Sequence, residues 1–331
     1  MKGEDRLVQL TTEESGRVVC LIDEPCLHVL SEYSTVYDLA RAALAAGAPL
    51  GEFARAHISA ASISYDAVGD DPGGGLRFLP AIDHPVEPAR CLVSGTGLTH
   101  RRSVDTRQAM HATGTAVTDS ERMYALGSAS GRPEPGAVGV APEWFYKGNG
   151  LSLRAHGQPL VRPVHAEDAG EEPELAGVYM IDRYGVPRRL GMAIGNEFSD
   201  HELERRNYLY LAPSKLRMCA LGPELVLDPD FTDVRGEVAI ERDGTVFWSC
   251  ALHTGDAAMC HSLTNIEHHH FKNELHRRPG DVHVHFFGAD AFSFSAGIAL
   301  QDGDVMRVSF DGFGRPLRNR LVIERPPAAL V

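Results

Sequence analysis

Apolar residues gather in two short runs near the start of the chain, Leu7 to Leu10 and Arg17 to Ile22, with a polar turn containing Gly16 between them. Short apolar runs on either side of a turn signal mark strands, so the pair predicts a hairpin. Ser34 or Thr35 then stands where a helix cap belongs, with Asp38 in the first turn, an Ala- and Leu-rich interior, and Gly47 as the stop. Asp70-Asp71-Pro72-Gly73-Gly74-Gly75 predicts a flexible loop, and Pro85 to Pro88 brackets a turn before the apolar run Cys91 to Ser94. Together these predict a small N-terminal α/β domain over residues 1–118.

The texture changes from about residue 137, where short apolar runs alternate with Gly, Pro and Asp turns. This predicts a mostly β domain over residues 137–331, reached through a linker at 119–136, and hence an α+β fold class. Strands are expected at Leu175 to Ile181, Val238 to Glu241, Thr245 to Cys250, Val282 to Phe287 and Val305 to Phe310. Arg242-Asp243-Gly244 is the expected hairpin turn between two of them. One helix is announced by the capping box Ser199-Asp200-His201-Glu202 and should stop before Pro213.

With 331 residues, 43% of them hydrophobic and 23% charged, the chain can bury a large core, and wholesale disorder is excluded. Its 45 acids against 32 Lys and Arg give a net charge of −13, which disfavours nucleic acid and anionic membranes as partners. An anionic ligand would need a local positive centre. The N-terminus is charged from the start and no run approaches membrane-spanning length, so a cytoplasmic protein is expected. Six cysteines without a CxxC pair read as buried thiols rather than a disulfide or zinc framework.

Two features carry possible metal chemistry. Glu172 and Glu174, two apart on a probable strand, point to one face, where like charges repel unless a cation lies between them. The neighbouring Glu171 makes a solvated acidic loop the stronger reading on spacing alone. A third acid, Glu197, sits at the junction before the capped helix and would complete an oxygen triad suited to Mg²⁺ or Mn²⁺. The second feature is the crowding of histidine, 16 in all, towards the C-terminal end. His283-Val284-His285 imitates the His-x-His of a cupin metal site, with only Asp290 in place of the following Glu. His268-His269-His270, on a strand, would send its rings to alternate faces, so hydrogen-bonded structural histidines are expected there.

At this point the motifs carry a resemblance. Pro142-Glu143-Trp144-Phe145-Tyr146-Lys147-Gly148, Glu172-Pro173-Glu174-Leu175, Gly191-Met192-Ala193-Ile194-Gly195-Asn196-Glu197, and Ser214-Lys215 followed by Leu221-Gly222-Pro223 occur in the order of the fumarylacetoacetate hydrolase family. The resemblance covers residues 137–325 and includes the late turns Gly280-Asp281 and Gly303-Asp304. Glu197 departs from the Asp usual in that family, and His285-Phe286-Phe287-Gly288 replaces its Gly-Thr-Pro loop. Upstream, Gly95-Thr96-Gly97-Leu98-Thr99-His100, with Ser103 and Arg107, resembles the branch acting on 2-keto-3-deoxy sugar acids.

The resemblance implies a mixed β-roll catalytic domain, a homodimer and a small anionic 2-oxo acid substrate. It also implies Mg²⁺, or Mn²⁺, held by Glu172, Glu174 and Glu197, with Lys215 shuttling the proton as a base of depressed pKa. Lys147, Thr99, His100, Ser103, Arg107 and His285 become candidate substrate contacts, with Lys147 alternatively pairing with Glu143. The implied reaction is dehydration of a 2-keto-3-deoxy sugar acid, a pentonate, to a 2-oxo acid semialdehyde through a metal-stabilised enolate. Carbon–carbon hydrolysis of an acylpyruvate or diketo acid and decarboxylation of an oxo acid are the alternatives within the fold. A non-catalytic sugar-acid sensor is the alternative from another class.

Overall fold

The structure, a computed structural model, describes residues 5–12, 16–69, 75–111 and 117–325. The predicted loop at Asp70 to Gly74 lies outside them. The N-terminal hairpin forms from the antiparallel strands Arg6–Thr12 and Gly16–Asp23. The helix Val36–Ala46 is capped by Thr35, whose side chain accepts from the Asp38 N–H, and ends at Gly47 in the left-handed conformation.

Two sheets organise the described residues, one of thirteen strands and one of five. The centre of the large sheet is Pro173–Ile181, antiparallel to Pro187–Asn196 on one side and Val282–Phe286 on the other. All nine of its residues are buried, which is why its apolar run is nearly continuous rather than alternating. Pro173 opens the strand, where its missing N–H is tolerated. One core packs Ala176, Val178 and Phe286 against the N-terminal hairpin and helix Val36–Ala46. The opposite face sends Leu175, Met192 and Ile194 against Val238, Ile240, Met306 and Val308 of the five-stranded sheet. The predicted turn between Val234–Arg242 and Thr245–Thr254 is a two-residue connection with positive φ at Asp243 and Gly244.

Four expectations need correction. Residues 119–136 are not simply a linker, because Asp119–Ser130 is a helix capped by Thr118. Strands from both predicted domains share the large sheet: Arg6–Thr12 pairs with Glu224–Val226, and Cys91–Gly95 pairs with Val282–Phe286. The capping position is Asp200, not Ser199, so the helix runs His201–Arg206; a second short helix, Leu211–Lys215, takes Pro213 into its first turn, where no intrahelical N–H bond is lost. His268-His269-His270 lies on the helix Leu263–Phe271, not a strand.

Candidate active site

The hairpin of the central strands delivers the first two acids. Pro173 pairs with Asn196, and just beyond that pair the Glu197 N–H donates to the Glu172 carbonyl at 2.9 Å. Residues 25 apart in sequence are thus neighbours at the open end of the ladder. Glu174, two positions along the strand, joins them: carboxylate oxygens of Glu172, Glu174 and Glu197 all lie within 4.8 Å of one another, and all three residues are buried.

Each carboxylate is oriented by a different partner. Glu172 Oε1 accepts from His201 Nε2 at 2.8 Å and from Lys215 Nζ. Glu174 Oε2 accepts from the Gly288 N–H at 2.7 Å. Gly288 has φ +97°, and a Cβ there would fall 2.1 Å from Thr99 Oγ1, so the loop His285-Phe286-Phe287-Gly288 needs glycine to reach the acid. Glu197 takes Lys147 Nζ at 2.7 Å on one oxygen, and Lys215 Nζ at 2.7 Å and Ser199 Oγ at 2.8 Å on the other. The Ser199 hydroxyl is therefore spent on Glu197, which is why Asp200 becomes the helix cap.

A second layer surrounds the triad. His201, stacked on Phe292 with ring centroids 4.6 Å apart, reaches Asp168 Oδ2 at 3.6 Å with its other ring nitrogen. Helix His201–Arg206 also supplies Glu204, which accepts from Ser214 Oγ and pairs with Arg107 Nη2 at 3.0 Å. Arg107 lies 3.6 Å from Glu143, itself bonded to the Tyr208 hydroxyl. The helix Arg101–His111 thereby roofs the site with Ser103 and Arg107. Gly97, Ser103, Arg107, Glu172, Glu174 and Lys215 line a cavity of about 20 Å³, room for about one water.

Burial and charge set the protonation states. Burial alone would raise Glu172, but Lys215 and His201 hold it well below the usual carboxylate range. Burial, then the charges of Glu197 and Glu172, push Glu174 well above it. Burial also raises Glu197 despite Lys147 and Lys215. His201 is lifted to about 10, because the hydrogen bonds to Asp168 and Glu172 outweigh burial. Burial would lower Lys215, yet Glu172, Glu197 and Glu204 raise it and keep the ammonium. The depressed, base-like lysine expected from the sequence is thus not the resting state of this site.

The predicted residues divide sharply. Glu172, Glu174, Glu197, Lys215, Ser103 and Arg107 converge. Lys147 is wholly buried behind Glu197, bonded to it and to the Phe198 carbonyl at 2.6 Å, so it neither lines the cavity nor pairs with Glu143. His285 is held between Ser94 Oγ at 2.9 Å and Thr96 Oγ1 at 2.7 Å, which leaves neither ring nitrogen for a ligand. Thr99 Oγ1 donates to the Phe287 carbonyl, and His100 lies between Thr99 and Thr254. All three brace the turn Gly95 to Leu98 from behind. The cupin-like reading fails because both ring nitrogens of His285 are engaged and Asp290 pairs with Arg102, while His283 bonds His270 through Nδ1 at 2.9 Å. Residue spacing had not singled out His201 or Glu204 for the site. The signal was present, since positions three apart on a short helix share a face.

The buried acids Glu143, Glu171, Glu172, Glu174, Glu197 and Glu204 outnumber the buried cations Arg107, Lys147, His201 and Lys215. Three convergent carboxylates in such an excess fit a hard divalent cation with oxygen preference. The fold thus sets three buried carboxylates that could hold such an ion at the open end of a β hairpin.

Proteins of known kind narrow that class. No family model matches the chain. Over 120 residues it is 32% identical to 2-dehydro-3-deoxy-D-arabinonate dehydratase of Saccharolobus solfataricus, covering 35% of this chain and 39% of that protein. Over 179 residues it is 27% identical to "Probable 2-keto-3-deoxyxylonate dehydratase" of Haloferax volcanii, covering 52% of this chain and 58% of that one. The chain thus matches less than two thirds of either relative's length. The solved structure of 2-keto-3-deoxy-D-arabinonate dehydratase complexed with magnesium and 2,5-dioxopentanoate superposes with a TM-score of 0.69 at 18% identity, over 97% of this chain and 100% of that chain. The superposition shows that this chain shares the fold of that solved structure over almost its whole length.

Proposed function

We propose that this chain is a Mg²⁺-dependent hydro-lyase that dehydrates a 2-keto-3-deoxy pentonate to a 2-oxo acid semialdehyde. The observation that carries the reading is the convergence of Glu172, Glu174 and Glu197 beneath Ser103 and Arg107. Support comes from the likeness to arabinonate and xylonate dehydratases, one of them solved with magnesium and 2,5-dioxopentanoate. When bound, the ion supplies Lewis acidity towards a 2-oxo carboxylate; Mn²⁺ shares the oxygen preference.

The chain's own residues handle positioning and protons. Arg107 and Ser103 offer donors to the carboxylate and hydroxyls of the substrate. Dehydration removes a proton from C3 and delivers one to the C4 hydroxyl, which leaves as water. Lys215 can serve both ends of that transfer: its resting ammonium donates at the C4 oxygen, and the amine so formed accepts the C3 proton, which restores the ammonium. Lys147 acts through Glu197 rather than on substrate. The same reading takes the protein to be cytoplasmic and homodimeric.

The test is incubation of purified protein and Mg²⁺ with 2-keto-3-deoxypentonates, followed by NMR. A semialdehyde with an intact carbon chain is expected. Two acids from an acylpyruvate, CO₂ release, or binding without turnover would each replace the dehydratase with a hydrolase, a decarboxylase or a sensor.

A further inference from the structure

Lys215 does not stand beside the carboxylate triad but within its charge. Its Nζ touches Glu172 Oε1, lies 2.7 Å from Glu197 Oε2, and is fixed by Ser199 Oγ at 2.9 Å. The face of Phe145 closes the other side, with Nζ 5.1 Å from the ring centroid. Two of the three acids that would coordinate a divalent ion therefore already share one buried ammonium. A fourth carboxylate, Glu204, waits 3.4 Å from the same Nζ and is no member of the triad. It is buried, and Ser214 Oγ and Arg107 hold it in place.

We propose that Lys215 is an internal counter-ion of the triad and that a divalent cation binds by exchange, driving Lys215 from Glu172 and Glu197 onto Glu204. The inference rests on the metal reading above and adds to it a positioning role for Glu204, which touches no metal. Like charges close together in a buried site repel strongly, so the ammonium and the ion cannot both share Glu172 and Glu197 at full charge. A carboxylate next door gives the ammonium somewhere to go without leaving an uncompensated charge. The exchange also lets the site fold before metal arrives, since Glu172 and Glu197 do not stand unpaired.

The two residues should then act on metal affinity in opposite directions. Mg²⁺ and Mn²⁺ titrations by calorimetry should show Lys215→Met binding the ion more tightly than wild type, by roughly tenfold or more for removal of one competing charge. Glu204→Gln should bind it more weakly by a similar factor. In the double variant Lys215→Met/Glu204→Gln, the Glu204 substitution should lose its effect on affinity, because no ammonium remains to be rehoused. Weaker binding in Lys215→Met, or an undiminished Glu204→Gln effect in the double variant, overturns the exchange while leaving the metal site standing. If Lys215→Met does not fold, Lys215→Gln with the same titrations serves, since it too removes the charge. Absence of binding in wild type and every variant overturns the metal reading itself, and the exchange with it.

Discussion

The backbone N–H of Glu197 donates to the carbonyl of Glu172 at 2.9 Å, the bond that follows the last paired residues of the central hairpin. The ladder therefore sets the separation of two buried carboxylates through backbone geometry, and side-chain partners need only aim them. Small changes in those partners should be felt as changes in metal affinity before they are felt in the fold.

His201 aims Glu172 through its Nε2–H and is itself steadied by Phe292 and Asp168. His201→Ala should weaken Mg²⁺ binding roughly 10- to 100-fold, the usual cost of losing a group that orients a metal ligand. Isothermal titration checks it, and an unchanged affinity would remove His201 from the site.

Lys147 is wholly buried and its carboxylate partner is Glu197. Lys147→Met keeps the volume but leaves Glu197 with one cation fewer, and should cost about 3 kcal/mol of stability. Urea denaturation without added metal measures this, and a loss well below 1 kcal/mol would mean that Lys215 alone satisfies Glu197.

Gly288→Ala meets two penalties, a left-handed backbone and a Cβ 2.1 Å from Thr99 Oγ1. Gly244, also at positive φ but with nothing within 4 Å, isolates the first penalty. Gly244→Ala should cost about 1 kcal/mol from backbone alone, and Gly288→Ala clearly more, with weakened metal binding as Glu174 loses its N–H donor. Equal melting-point shifts for the two would count against the close approach.

Burial pushes His100 down to about 4, and burial with the neighbouring His283 and His276 pushes His285 down to about 3. In the unfolded chain both return to about 6.5. The folded state thus binds fewer protons between those values, so stability is full above pH 6.5 and falls as the pH drops towards 4. The slope should reach about 1.4 kcal/mol per pH unit for each such ring. Denaturation midpoints at pH 7.5, 6 and 5 test it, and a flat profile would show that these rings are not held neutral.

Local signals in the chain determined local structure. Short apolar runs bounded by turn residues, the cap at Thr35 with its stop at Gly47, and Asp243-Gly244 each depend on neighbours a few residues away, so the hairpins and that helix were legible. The carboxylates were legible only through the ordered motifs, because the spacing of Glu172 and Glu174 by itself favoured a solvated acidic loop. Only tertiary structure decided the rest. Whether Lys215 rests as amine or ammonium depends on Glu197 and Glu204 arriving from other elements. Whether His285 meets a ligand depends on Ser94 and Thr96 across a parallel pairing 191 and 189 residues away. The domain border dissolved for the same reason: strand pairing joins Arg6–Thr12 to Glu224–Val226 through hydrogen bonds that no short window of sequence can register.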